Sequence, residues 1–362
     1  MTVHAAQVTQ CEWSLPESVR DVADRKRSSQ VAMRLADIRA WLSDDLKEVE
    51  TALRADLGGT GPSGHADLVT RAGAHLINLP AKRVRPLCVL LGARMGGVGL
   101  NARVKALATA CELVHSATLL HDDVLDEGTE RRGAPSARVM FGNAASVLAG
   151  DQMLLQAMRL VESLRDWELV DLLNETMKDM ILAESLQLEC QGRFVPDRAT
   201  YLKIIQGKTA SLFQWAFSVG GIEGGLAAED VATLGEVGAA IGLGFQITDD
   251  LLDVCGDAAL LGKKPLADLR EGKLTWPFII ATEREPKTLE VVKDYAAKLE
   301  RGLEVSEKPV LDCLRATDAL AATRQFARAQ GTRAHALLKT LPESTARNAI
   351  QVVVDAAIDR DV

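Results

Sequence analysis

The sequence predicts an all-α fold, on three observations from its 362 residues. Apolar residues recur at steps of three and four. Leu35, Ile38, Leu42, Leu46, Val49, Leu53 and Leu57 make one stripe, and Asp44, Asp45, Lys47, Glu48 and Glu50 mostly cover the other sides of the same helix. Helix-breaking proline is sparse: between Leu87 and Trp276 only Pro135, Pro196 and Pro265 occur, so long helices can run between them. No stretch alternates apolar and polar residues between turn signals, so no sheet is supported. With 4% aromatic residues the core must be built from Leu, Val, Ile and Ala, which suit closely packed helices. The run from Gly58 to Gly64 ends the first helix as a loop. Residues 31–362 are expected to form a single all-α domain, and residues 1–30 a polar extension whose composition permits disorder.

Composition narrows the function classes. A content of 47% hydrophobic and 25% charged residues is that of a folded chain, and the formal charge of −8 argues against nucleic acid as the main partner. No integral membrane segment is expected, because the best apolar run, Leu87 to Leu100, is broken by Arg94 and four glycines. The first thirty residues lack a basic-then-apolar leader pattern. Six scattered cysteines with no CxxC pair argue against a zinc site or a disulfide framework, and the expected setting is the cytoplasm.

The chemistry is concentrated in two acidic strings. In Leu119-Leu120-His121-Asp122-Asp123-Val124-Leu125-Asp126, Asp122 and Asp126 lie one helical turn apart and share a face. The pattern returns in Phe245-Gln246-Ile247-Thr248-Asp249-Asp250-Leu251-Leu252-Asp253. A single such string is as well explained by a solvated acidic patch. Both, however, follow apolar stretches, and acids clustered at the ends of buried segments require compensation. A hard divalent cation supplies it, and Mg²⁺ in turn favours phosphate oxygens for its remaining ligands. The pair therefore suggests a diphosphate held between two carboxylate-lined helices.

Basic groups for the other side of a diphosphate follow the acidic strings or precede them. They are Lys82-Arg83-Val84-Arg85-Pro86, which puts Lys82 and Arg85 on one face of a helix or turn; Arg131-Arg132-Gly133; Lys208-Thr209; Lys263-Lys264; and Gly272-Lys273. Glu112-Leu113-Val114-His115 has the ExxH form of a di-iron ligand pair, but no other histidine has a glutamate three positions before it, and a di-iron site needs two such pairs.

Together these strings resemble those of the trans-type polyprenyl diphosphate synthases, in family order across roughly residues 80 to 280, with most likeness to the bacterial long-chain, octaprenyl-type branch. The resemblance implies an isoprenoid synthase-type helical bundle around a central cavity, acting as a homodimer. It implies Mg²⁺, three ions per site with substrate bound, held by Asp122, Asp126 and Asp249, with Asp123, Asp250 and Asp253 in support. Arg131, Lys208, Thr209, Gln246, Lys263 and Lys273 would contact an allylic diphosphate (farnesyl or geranyl). Lys82, Arg85, His115 and Arg132 would hold isopentenyl diphosphate. The implied reaction is ionisation of the allylic diphosphate and head-to-tail condensation with isopentenyl diphosphate.

Two departures stand out: Leu79-Pro80-Ala81 replaces the family's glycines, and Leu266-Ala267 replaces Gly-Asp. Thr118 and Ala117 lie about 6 and 7.5 Å deeper than Asp122 along the helix axis. Both are small, where a bulky aromatic stops chain growth early in the family, so a product near C40 is expected. A geranylgeranyl (C20) product and a class I terpene cyclase are the alternatives. The cyclase would lack the second Asp-Asp-x-x-Asp string.

Overall fold

The N-terminal stripe folds as two helices where one was expected. α1 (Val22–Trp41) and α2 (Ser43–Asp56) meet at Leu42. The hydrogen bonds Leu42 N to Ile38 O, 3.0 Å, and Leu46 N to Leu42 O, 2.9 Å, carry the ladder across the joint. Ile38, Leu42, Leu46, Val49 and Leu53 are consequently all buried, as one continuous stripe. The structure, a computed structural model, describes residues 22–56, 67–255 and 265–359. α1 begins at Val22, so it starts inside the segment read as an extension, whose remainder lies outside the described residues.

Next come α3 (Leu68–Asn78), α4 (Val84–Met95) and α5 (Ala102–Leu125). A two-residue antiparallel ladder joins β1 (Glu130–Arg131) to β2 (Ala134–Pro135). α6 (Ala137–Phe141), α7 (Asn143–Ser163) and α8 (Trp167–Cys190) follow. α9 (Arg198–Ile205) passes through a π-helical turn, Gln206–Ala210, into α10 (Ser211–Glu223), and α11 is Ala228–Cys255. The C-terminal part holds α12 (Ala267–Arg270), α13 (Trp276–Arg284), α14 (Lys287–Glu300), α15 (Lys308–Ala316), α16 (Ala319–Leu338) and α17 (Thr345–Ile358). Pro135, Pro196 and Pro265 all fall between helices, and so α5, α8 and α11 run for 24, 24 and 28 residues.

α5 packs on α4 and α7, α10 on α4, α5 and α11, and α11 on α16 and α17. The crossing of α10 over α4 is so close that a Cβ at Gly220 would sit 2.5 Å from the carbonyl oxygen of Val89. By length and hydropathy α11 alone among the described helices could cross a membrane; 56% of that window is buried in the fold, and its last turns carry Asp249, Asp250 and Asp253. It is a core helix.

Candidate active site

Both acidic strings end their helices. Asp126 caps α5, with its N–H on Asp122 O at 2.8 Å; Glu127 then takes φ +52 and Gly128 N–H returns to Asp123 O at 2.9 Å. This Schellman closure fixes Asp122 and Asp126 in the last turn. Asp249, Asp250 and Asp253 occupy the last turns of α11. A helix C-terminus already carries partial negative charge, so each string adds carboxylates where the dipole repels them. Such placement is unfavourable without cations.

The two ends open on one cavity of about 1430 Å³, walled by Asp122, Asp126, Asp249, Asp250 and Asp253. Burial, ahead of its charged neighbours, pushes the Asp122 carboxyl up to about 6. Lys208 lies 3.6 Å from Asp122 and 2.5 Å from Glu184; Lys273 lies 2.9 Å from Asp126 and 2.7 Å from Glu271. Burial opposes the charge on Lys273, but Glu271 and Asp126 outweigh it and hold its ammonium above the usual lysine range.

Lys208 and Thr209 sit on the π-helical turn, an irregularity that helices often reserve for functional positions. Thr209 donates to Gln246 Oε1 at 2.9 Å, and Gln246 Nε2 donates to Asp250 at 3.1 Å. Asp250 also accepts from Tyr201 and from the Trp276 N–H, the latter at 3.3 Å; burial lifts its carboxyl to about 8. Asp253 receives the Ala267 N–H at 3.0 Å and the Asp268 N–H at 3.4 Å, so it closes the N-terminus of α12. Asp123 departs from expectation. It is 1% exposed, faces away from the cavity and accepts from Arg131 Nε at 2.9 Å, anchoring an arginine that does line the wall.

A second cationic group surrounds His115. Arg85 and His115 line the cavity, and the Arg85 guanidinium lies over the Phe213 ring at 4.7 Å. Arg132 and Gly133 link β1 to β2 with φ +55 and +77, as a two-residue primed hairpin turn requires. Burial first, then Arg85, Arg132, Arg131 and Arg83, hold His115 well below the usual histidine range, so it stays neutral. Arg85 Nε and Arg132 Nη1 are buried without a hydrogen-bond partner. Unsatisfied guanidinium groups around a neutral imidazole suit an anion. Arg132 is not part of the cavity wall, although its charge reaches His115 and Arg85, and Lys82 is not part of it either. Arg83 takes φ +48, which breaks the expected helical turn, and leaves Lys82 exposed, outside the cavity wall. Lys263 lies outside the described residues.

Below the polar mouth the wall turns apolar, through Val114, Leu119, Leu154, Met158, Met177, Met180 and Leu212. Thr118 lines this part, but Ala117 does not: it is 0% exposed and belongs to the main hydrophobic core. Successive residues on a helix step round by about 100°, so the wall takes in Thr118 and Leu119 while Ala117 falls on the side packed into the core.

The acid-lined ends meet the donor requirements of Mg²⁺: hard oxygens converging from two helices. No three metal-ligating side chains cluster among the described residues, so waters and phosphate oxygens must complete the shell, which is how Mg²⁺ usually binds. Several contributors gave no local signal in the sequence. Glu184 and Tyr201 are single residues on α8 and α9 whose partners lie far along the chain, and Glu112, noticed for its ExxH spacing, proves to pair with Arg83.

An all-α bundle around one cavity, acid-lined at its mouth and apolar below, defines an isoprenoid synthase-type fold. A family profile described as polyprenyl synthetase matches residues 66–308. The octaprenyl diphosphate synthase of Escherichia coli (strain K12) is 34% identical over 332 residues, covering 91% of this chain and 100% of its own. The decaprenyl diphosphate synthase of Rhodobacter capsulatus superposes with a TM-score of 0.81 at 32% identity, over 90% of this chain and 98% of its own. The polyprenyl synthase of Caulobacter crescentus CB15, solved with calcium and isoprenyl diphosphate, superposes at 0.80 with 31% identity and the same coverage. The chain belongs to the polyprenyl synthetase family and is a prenyltransferase of isoprenoid biosynthesis.

Proposed function

We propose that the protein condenses isopentenyl diphosphate with an allylic diphosphate, farnesyl or geranyl, in successive rounds to an all-trans polyprenyl diphosphate near C40. The supporting observation is the single cavity onto which both acidic helix ends open, opposite Lys208 and Lys273. Asp122, Asp126 and Asp249 would hold Mg²⁺, which supplies Lewis-acid stabilisation of the departing diphosphate. Lys208 and Lys273, already paired with those carboxylates, bring positive charge to the same place. Arg131, braced by Asp123, adds a fork for phosphate oxygens. Thr209 and Gln246 orient Asp250 between the π-helical turn and α11. Preorganised charge of this kind lowers the cost of breaking the carbon–oxygen bond. Arg85, neutral His115 and Arg132 hold isopentenyl diphosphate beside the ionising carbon.

The growing chain enters the apolar wall. From Asp122 to Val114 on α5 is about 12 Å, and from Glu184 to Met177 on α8 about 10 Å, at 1.5 Å per residue. Both helices thus change from polar to apolar over the same depth. We place the enzyme in the cytoplasm as a homodimer, with Val139, Met140, Leu148 and Leu155, exposed on α6 and α7, as the apolar face covered by the second copy. Incubation with Mg²⁺, labelled isopentenyl diphosphate and farnesyl diphosphate, followed by chromatographic sizing, tests the assignment. Products near C40 are expected. A C20 product would move it to the shorter-chain class, and a cyclic hydrocarbon would overturn it.

A further inference from the structure

We propose that the buried Arg83–Glu112 ion pair positions the isopentenyl diphosphate site, holding the start of α4 against α5 so that Arg85 and His115 face the same ligand. The pair serves the site proposed above and stands only with it. Arg83 is 5% exposed and Glu112 1%. Arg83 Nη1 lies 2.6 Å from Glu112 Oε1, and its Nη2 donates to Ile77 O at 2.7 Å. The anchor holds Arg83 at φ +48, a left-handed backbone that a side chain resists and that persists only where the surroundings enforce it. With that conformation Lys82 is exposed, and Arg85 stands in the first turn of α4, in the cavity wall. On the other side, Glu112 is one turn before His115 on α5. One ion pair thus ties together the two elements that carry the cluster.

Charge and positioning predict opposite signs for Glu112→Gln. If Glu112 acted only through its negative charge, removing it would strengthen binding of an anionic substrate. If it positions Arg85, binding weakens. Steady-state kinetics of the full chain, with isopentenyl and farnesyl diphosphate varied separately, decide the matter. Glu112→Gln is expected to raise KM for isopentenyl diphosphate roughly tenfold or more, with KM for farnesyl diphosphate and kcat at saturation within about twofold. A fall in that KM overturns the proposal, and so does a lowered melting temperature with both KM values unchanged. The double variant Arg83→Gln/Glu112→Gln leaves no unpaired buried charge and guards against a single variant that does not fold. It is expected to keep the raised KM; a wild-type value contradicts positioning. Arg85→Gln separates the levels. If it leaves KM for isopentenyl diphosphate unchanged, the site assignment itself falls. If it raises that KM and Glu112→Gln does not, only the pair falls.

Discussion

Gly207 carries one of the tightest constraints in the site. A Cβ there would lie 2.6 Å from the Ala183 Cβ and 2.7 Å from the Asp179 carbonyl oxygen, both on α8. The π-helical turn that presents Lys208 is therefore seated directly on α8, beside Glu184, the lysine's partner. Gly207→Ala is expected to lower stability by about 1–3 kcal/mol through overpacking. It should also reduce turnover, because Lys208 moves with the turn; a thermal melt and a standard assay check both. A similar economy explains the departure at Leu266. It has φ +60 where the sequence resemblance leads to an expectation of glycine, and its fully buried side chain offsets a backbone that glycine would adopt freely. Single-residue effects of this kind were only partly legible in the sequence. Asp122, Asp126, Asp249 and Lys208 carried recognisable local strings and do meet in one cavity. Asp123 and Lys82 belonged to equally recognisable strings but are absent from the cavity wall, Asp123 buried in a hydrogen bond to Arg131 and Lys82 exposed beside a left-handed Arg83. Glu184 and Tyr201 act across α8 to the π-helical turn and α9 to α11, contacts that no local spacing encodes.

At the scale of elements, α5 explains both the ionising mouth and the chain-length wall. Its C-terminal turn bears Asp122 and Asp126, and one turn back Thr118 faces the cavity while Ala117 is packed into the core. The small-residue argument from sequence can therefore apply at only one of its two positions, Thr118, since helical geometry alone cannot say which neighbour lines the cavity until the packing partners are known. Thr118→Phe is expected to shorten the product distribution in a chromatographic assay. Ala117→Phe is expected to cost about 1–3 kcal/mol of stability by overpacking, with no specific shortening. The long helices themselves were legible, because the proline positions and the three-and-four spacing act locally. The joint at Leu42 was not, as the apolar stripe runs through it unbroken.

On the scale of the whole molecule, two long helices, α5 and α11, come from distant parts of the chain and end at one place. Their dipoles and carboxylates add, and Lys208 and Lys273 stand against Asp122 and Asp126 at the same mouth. The exposed apolar residues of α6 and α7 do not line the cavity, and Leu148→Glu/Leu155→Glu is expected to convert a dimer to monomer by sedimentation velocity. An unchanged assembly would remove that face from the account. The central claim is that both acidic helix ends grip one diphosphate through Mg²⁺. Calorimetric titration with a non-ionisable allylic thiolodiphosphate tests it most directly, on the wild-type protein and on Asp122→Asn and Asp249→Asn. Binding should require Mg²⁺ and should weaken by roughly 10²-fold or more in either variant, as loss of one charge-stabilising group typically does. Binding that persists without the metal, or that responds to one acidic string and not the other, would contradict it.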